Sequence, residues 1–553
     1  MTKISRCACL TLIVGSLLFA QLLIAEDGVK GNLVSVAWLQ KNLKRADVLV
    51  LDASPRPKYA ANHIPGAIGI DLYAYGMHEI PVGEMEKRLQ SWGISAGKKV
   101  ILYDEGGSIL ATRLFFDLYY QGFPVKDLFV LDGGLTKWQK DGGEVTKDAT
   151  PGPRKGTFRI SKYREDARVK LPEFLSASGD PKNCVLLEGL GANWHFGEVH
   201  PFDRAGHIPN GVLAPSNDFY NADKTFKSPE EIRKMLDYLG VGPGQRVYTY
   251  CGGGVAASVP YFAARFILNY PNVKLYKESE MGWLQDDRGL PYWTYDDPNL
   301  MRETNWLQIS TNQMMRMYAG IEVSIVDVRP AEEFSRGHVP YSLNVPADVF
   351  KSNLTNPKKL ASILGPAGVD ASHEAVVISG AGITKESALA FLMLEKLGQK
   401  KVSVFLDSLA QWTRRGYTMS NEATVVGPKK APQDLSIPPT TYAAKLRKDV
   451  VVADAKSTTG LYPKIFVASG VNLPSKTQEG TVVHVPYTDL LNSDGTPKPA
   501  KDIWNILVKA GVPRYAELVC FSDDPGESAV NYVIMRLMGY PDVKVMAMGA
   551  MGK

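Results

Sequence analysis

Short apolar runs alternate with stretches of helical periodicity along most of the chain, a pattern that predicts parallel βαβ units. The runs recur in a fixed order. The first run of each unit ends on an acidic residue and leads to a His-(Ile/Val)-Pro turn. It reads Val48-Leu-Val-Leu-Asp52 with His63-Ile-Pro65, Val185-Leu-Leu-Glu188 with His207-Ile-Pro209, and Ser324-Ile-Val-Asp327 with His338-Val-Pro340. A worn fourth copy reads Val451-Val-Ala-Asp454 with Ser469-Gly-Val-Asn-Leu-Pro474. Anchored on His63, His207, His338 and Ser469, the steps are 144, 131 and 131 residues. That is the size of a domain, not of a solenoid repeat.

A second apolar run follows in each unit, at 100–103, 247–250, 376–378 and 518–521. Next come a loop of small residues and an apolar helix, predicted over 110–121, 256–269 and 386–397. A third run then precedes a tryptophan in the first three units: Trp138, Trp283 and Trp412, each expected to anchor a core. The histidines of the His-Pro turns are expected to hold those turns. Links rich in Pro, Gly and Lys at 149–156, 295–304 and 427–440 mark boundaries. The expected domains are 32–150, 157–296, 303–420 and 434–553.

Residues 1–25 break the pattern. A basic start (Lys3, Arg6) precedes an apolar run from Leu10 to Ala25, which reads as a secretory signal peptide. The expected location is exported, periplasmic or extracytoplasmic; an uncleaved segment would instead tether the chain to a membrane. The net charge of the 553-residue chain is only +5, so no nucleic-acid partner is expected. Beyond residue 25 the cysteines are Cys184, Cys251 and Cys520, too few for a disulfide framework. Cys184 and Cys520 fall in apolar runs and read as structural. No Cys-x-x-Cys occurs beyond residue 25 and the histidines lack ligand spacing, so no metal is expected.

The Asp327-Val-Arg329 and Gly337-His-Val-Pro340 run, and the Leu131-Asp-Gly-Gly134 and Trp138 run, recur in register. On these motifs the chain resembles the rhodanese (thiosulfate/3-mercaptopyruvate sulfurtransferase) family. The resemblance implies four tandem α/β domains, each a parallel five-stranded sheet with helices on both faces. It also implies a nucleophilic cysteine in the loop after the second strand. The four copies of that loop open with Asp104, Cys251, Ser379 and the diverged Ser522. By resemblance, the first and third domains are inactive, with Asp104 and Ser379 at the cysteine position. In two-domain relatives the inactive first domain packs over the active loop, so the site is expected between 32–150 and 157–296.

Cys251 has a physical case of its own. It ends a strand and precedes a helix, at the sheet edge where open α/β sheets bind ligands. Gly252, Gly253 and Gly254, followed by Val255 and Ala256, let the backbone turn its N–H groups inward as an anion nest. The nest and the helix start favour a thiolate and a bound anionic sulfur. The expected chemistry is a two-step transfer: an anionic donor, thiosulfate or 3-mercaptopyruvate, loads a Cys251 persulfide, and a thiol or cyanide unloads it, with no cofactor. The family's substrate arginine should fall near Trp194, where there is none. Arg204 is the nearest cation and either compensates or is a solvated surface residue. Glu188-Gly-Leu190 replaces the family's Asp-x-Arg. The Cys-x5-Arg of phosphatases is not met, because Ala257 stands six residues after Cys251. The alternative reading is a non-catalytic carrier of sulfur or selenium, or a scaffold of the cell envelope.

Overall fold

The computed structural model describes residues 28–546 apart from 76–79, 319–321, 432, 455, 457–459 and 477; the expected signal segment, 1–25, lies outside them. Four sheets follow one another along the chain. The first contains β1 (Val29–Lys30), β2 (Leu33–Val34), β3 (Val48–Asp52), β4 (Ile68–Gly69), β5 (Lys99–Tyr103) and β6 (Leu128–Leu131), in the order β1-β2-β6-β5-β3-β4. The second contains β7 (Arg168–Val169), β8 (Cys184–Glu188), β9 (Gly211–Leu213), β10 (Arg246–Tyr250) and β11 (Val273–Tyr276), ordered β7-β11-β10-β8-β9. The third contains β12 (Met301–Arg302), β13 (Val323–Asp327), β14 (Leu343–Asn344), β15 (Glu374–Ile378) and β16 (Lys401–Phe405). The fourth contains β17 (Val451–Val452), β18 (Lys464–Ala468), β19 (Thr481–His484), β20 (Glu517–Phe521) and β21 (Val543–Met546). Both repeat the order of the second sheet.

The pairings are parallel except β1 with β2, which form an antiparallel hairpin turned at Gly31 (φ +57°). That hairpin corrects the first sheet from five strands to six. The fourth unit needs a second correction. Residues 451–454 are not its first central strand: Val451–Val452 pairs only with β21, at the sheet edge. The central place belongs to β18, flanked by β19 and β20, and it ends on Ala468 without an acidic residue. The acid at Asp454 drew the repeat one strand too early.

Each sheet buries two apolar faces. One face forms a small core around a fully buried tryptophan in the first three units, and the indole N–H of Trp138, Trp283 and Trp412 donates to a nearby carbonyl. The other face merges with the neighbouring domain: the first and second domains share one core, the third and fourth another. Helices Leu110–Tyr120, Lys385–Lys396 and Pro525–Leu537 lie at these shared faces. In the second domain the helix expected over 256–269 is shorter. It spans Ser258–Phe262 and widens into a π turn at Ala263–Ile267, which brings Phe262 and Phe266 onto Phe115, ring centroids 4.8 and 4.9 Å away.

The two pairs are copies of each other. In the second domain Asn221 N–H donates to Thr225 O, and in the fourth Asn492 N–H donates to Thr496 O, both at 2.8 Å. Each of these turns leans on the strand-end loop of the preceding domain: Lys224 lies against Gly106 and Gly107, and Gly495 O accepts from Ile383 N–H.

Candidate active site

In all four units the residue following the second central strand is the one that sequence points to: Asp104 after β5, Cys251 after β10, Ser379 after β15 and Ser522 after β20. Asp104 caps its own loop, accepting from the N–H groups of Gly106, Leu110 and Ala111. At the same place Cys251 Sγ accepts from Gly254 N–H at 3.0 Å. Gly254 is where glycine is required: its φ is +80°, and a Cβ there would lie 2.3 Å from Lys277 O. Of the expected nest, Gly254 is the residue whose amide reaches the sulfur. Ala256 O accepts from the Ser216 hydroxyl and Cys251 N–H donates to the Ser279 hydroxyl, which together pin the loop.

Cys251 is buried, with 2% of its surface exposed. Gly252 lies beneath Phe202 and Leu190, whose side chains would be 3.7 and 3.9 Å from a Cβ placed on it. The first domain packs on the second beyond this loop: Thr112 and Ser258 share a hydroxyl hydrogen bond of 2.8 Å, and Tyr220 donates to Ser108 O at 2.7 Å. Cys184 and Cys520 are buried in their strands, and burial pushes the Cys520 thiol up to about 12, away from reactivity.

Arg204 is half-buried. Its guanidinium donates to Leu290 O at 2.7 Å and lies 5.7 Å from the centre of the Tyr292 ring. Glu280, the residue after Ser279, donates its backbone N–H to Cys251 O at 3.0 Å. Trp194 is half-buried on the short helix Ala192–His195 and has no described link to that loop.

Sequence reasoning missed a buried acid–base cluster behind Cys251. Glu188, at the end of β8, pairs with His195 Nδ1, and His195 Nε2 lies 2.5 Å from Asp296 Oδ1. Burial alone would drive the His195 proton off, but the Asp296 and Glu188 carboxylates outweigh it and push its pKa up to about 9. His207 stacks on His195 at 3.6 Å, with the rings 2° from parallel. Its Nδ1 lies 2.9 Å from His195 O, and burial followed by repulsion from His195 lowers it to about 4, leaving it neutral. Glu280 is buried as well; burial, then the Glu188 charge, then Cys251 push its pKa up to about 11, so it is a neutral acid.

Ligand atoms of Glu188, His195 and His207 lie within 4.8 Å of one another. An imidazole binds a metal in its own ring plane at about 2.1 Å. Two parallel rings 3.6 Å apart offer no point lying in both planes, and both His195 nitrogens already meet carboxylates. The cluster is built as a charge network and does not fit a metal ion.

The family model described as "Rhodanese-like domain" matches residues 35–141, 192–286 and 310–415. A probable 3-mercaptopyruvate sulfurtransferase of Pseudomonas aeruginosa is 31% identical over 46% of this chain and 96% of its own length. The sulfur carrier protein TtuD of Thermus thermophilus is 31% identical over 45% of this chain and 93% of its own. The 3-mercaptopyruvate sulfurtransferase of Escherichia coli K12 is 29% identical over 45% and 94%.

Proposed function

The chain belongs to the rhodanese-like domain family, and on that premise we propose that it is a sulfurtransferase working through a persulfide on Cys251. Sulfur transfer in general is what its curated relatives support. The observation that carries the finer reading is the contact of Cys251 Sγ with Gly254 N–H at the end of β10, the one strand end of the four that presents a thiol. The Cys251 thiolate attacks the outer sulfur of thiosulfate, releasing sulfite, or the thiol sulfur of 3-mercaptopyruvate, releasing the enolate of pyruvate, which takes up the thiol's proton. The bond to the leaving group breaks, and the new terminal sulfur takes up the Gly254 N–H. A thiol or cyanide then removes that sulfur and restores the thiolate. Arg204, whose guanidinium lies 5.7 Å from the centre of the Tyr292 ring, is the cation assigned to the donor anion. The 1–25 segment supports an exported protein.

The test is steady-state turnover with each donor and cyanide. Wild type should turn over, and Cys251→Ser should lose activity to the uncatalysed level. Turnover that survives Cys251→Ser contradicts the proposal. A sulfur carrier is the second reading, supported by the likeness to the Thermus carrier protein. It predicts one equivalent of loading and no turnover.

A further inference from the structure

A single side-chain torsion places the sulfur of a cysteine, so its direction depends on how the backbone on either side is held. Around Cys251 both sides are held by the turn that follows β11. Cys251 N–H donates to the Ser279 hydroxyl at 3.0 Å, and that hydroxyl donates to Tyr276 O at 2.8 Å. On the other side, Glu280 N–H donates to Cys251 O and Met281 N–H to Gly252 O, both at 3.0 Å. With both peptide groups fixed, one torsion is left, and Gly254 N–H meets the sulfur at its end.

Ser279 does this at a backbone angle that suits glycine. Its φ is +51°, and of the six described non-glycine residues with positive φ it is the one that is buried. The first domain makes the same turn with Gly134, φ +54°, four residues before Trp138 as Ser279 is before Trp283. There the backbone clamp is repeated: Leu135 N–H donates to Asp104 O and Thr136 N–H to Glu105 O, both at 2.9 Å. A Cβ on Gly134 would lie 2.5 Å from Gly106 N and 2.6 Å from Asp104 O, so that loop leaves no room for a side chain. The third domain has a serine at this place, Ser408, four residues before Trp412. Its φ is −71°, and its hydroxyl accepts from Gln411 N–H, an ordinary cap on its own helix. The fold therefore closes with no side chain here, or with a serine that caps. Beside the cysteine, the serine is held at a left-handed angle, makes no cap on its helix Ser279–Leu284, and turns its hydroxyl to the Cys251 amide. Backbone strain of this kind gathers at functional sites.

We propose that Ser279 is a positioning residue for sulfur transfer: its hydroxyl fixes the Cys251 amide so that Sγ stays aimed at Gly254 N–H before and after it gains sulfur. This rests on the Cys251 persulfide. Ser279 is fully buried and acts through Cys251. Its effect falls on the rate of attack, alike for every donor, and not on donor binding.

The experiment is single-turnover loading of Cys251 over a range of donor concentrations, read by intact-protein mass. The proteins are wild type, Ser279→Gly, Ser279→Ala and Ser408→Gly. The glycine variant carries the residue with which the first domain already makes this turn, and the alanine variant keeps the Cβ while losing the hydroxyl. Both variants at 279 should lower the maximal loading rate about 10–10²-fold, equally with thiosulfate and 3-mercaptopyruvate, at an unchanged half-saturating donor concentration. Ser408→Gly should load as wild type does. Wild-type rates in the 279 variants would overturn the inference. A loss confined to one of the two would assign it to the backbone and not to the hydroxyl, and a loss shared by Ser408→Gly would make it merely structural; either overturns it. So would a raised half-saturating concentration at an unchanged maximal rate, which would put Ser279 in donor binding. A wild type that gains no sulfur from either donor would overturn the Cys251 persulfide instead.

Discussion

His195 is a buried cation held between two carboxylates, and its protonation is tied to stability. Its pKa of about 9 lies above the usual value near 6.5. Its contribution is therefore complete below about pH 6.5 and is lost as pH rises through about 9. His207 works in the opposite sense: its pKa of about 4 means that stability falls as pH drops from about 6.5 towards 4. The two together predict a maximum near pH ~6.5 in urea-unfolding midpoints. His195→Phe, the residue of the third domain, should cost about 3–5 kcal/mol by leaving the buried Glu188 carboxylate without its cation, and should abolish the alkaline fall. An alkaline fall that persists in this variant would assign the titration to another group. A second residue controls access. Phe202 lies over Gly252, so Phe202→Ala should speed labelling of Cys251 by a bulky thiol reagent several-fold while changing little with a small one. Identical rates in wild type and variant would mean that the thiol is reached by another route.

Among the elements, those with a clear apolar run were legible from sequence: the strands ending at Asp52, Glu188 and Asp327, and the helix Leu110–Tyr120, predicted to within a residue. The loop bearing Cys251 was legible too, because glycines and a cysteine between a strand and a helix have few other uses. Two elements were not. The fourth domain's central strand was assigned to residues 451–454 because an acid marks the strand end in the other three units. Strand pairing decides otherwise, since β18 ends on Ala468 and needs no acid. The helix after Cys251 was read as one run of 256–269. Its apolar residues are spaced for contact with Phe115 and Tyr119 of the first domain, and the backbone widens into a π turn to make that contact. The acid–base cluster stayed hidden because its members are 7 to 108 residues apart and become one group only through folding. One signal was available: Glu280 interrupts a position that is leucine in two aligned repeats.

At the scale of the molecule, the chain is a doubled pair in which the second domain, which carries the cysteine, is braced by the first and the fourth. The first domain meets the second through Thr112, bonded to Ser258, and Ser108, bonded to Tyr220. The fourth holds the far side of the second: Arg514 pairs with Leu213 O, Tyr515 donates to Asp218 at 2.8 Å, and Tyr238 donates to Ala516 O at 2.9 Å. Arg514 also helps hold the Asp296 carboxyl below its usual range, behind the larger effects of the two histidines, all of them working against burial. Gly539 has φ +77°, and a Cβ there would collide with Asp296. Gly539→Ala should therefore lower stability by about 1–3 kcal/mol and disturb the second domain from a position in the fourth. Unchanged urea midpoints would mean that the two domains yield at this contact. The account as a whole rests on sulfur becoming bound to one residue. The direct measurement is peptide mass spectrometry after exposure to thiosulfate or 3-mercaptopyruvate, without acceptor. The predicted result is a gain of one sulfur on the Cys251 peptide, absent from the Cys184 and Cys520 peptides and removed by cyanide. A Cys251 peptide that stays unmodified with both donors would contradict it.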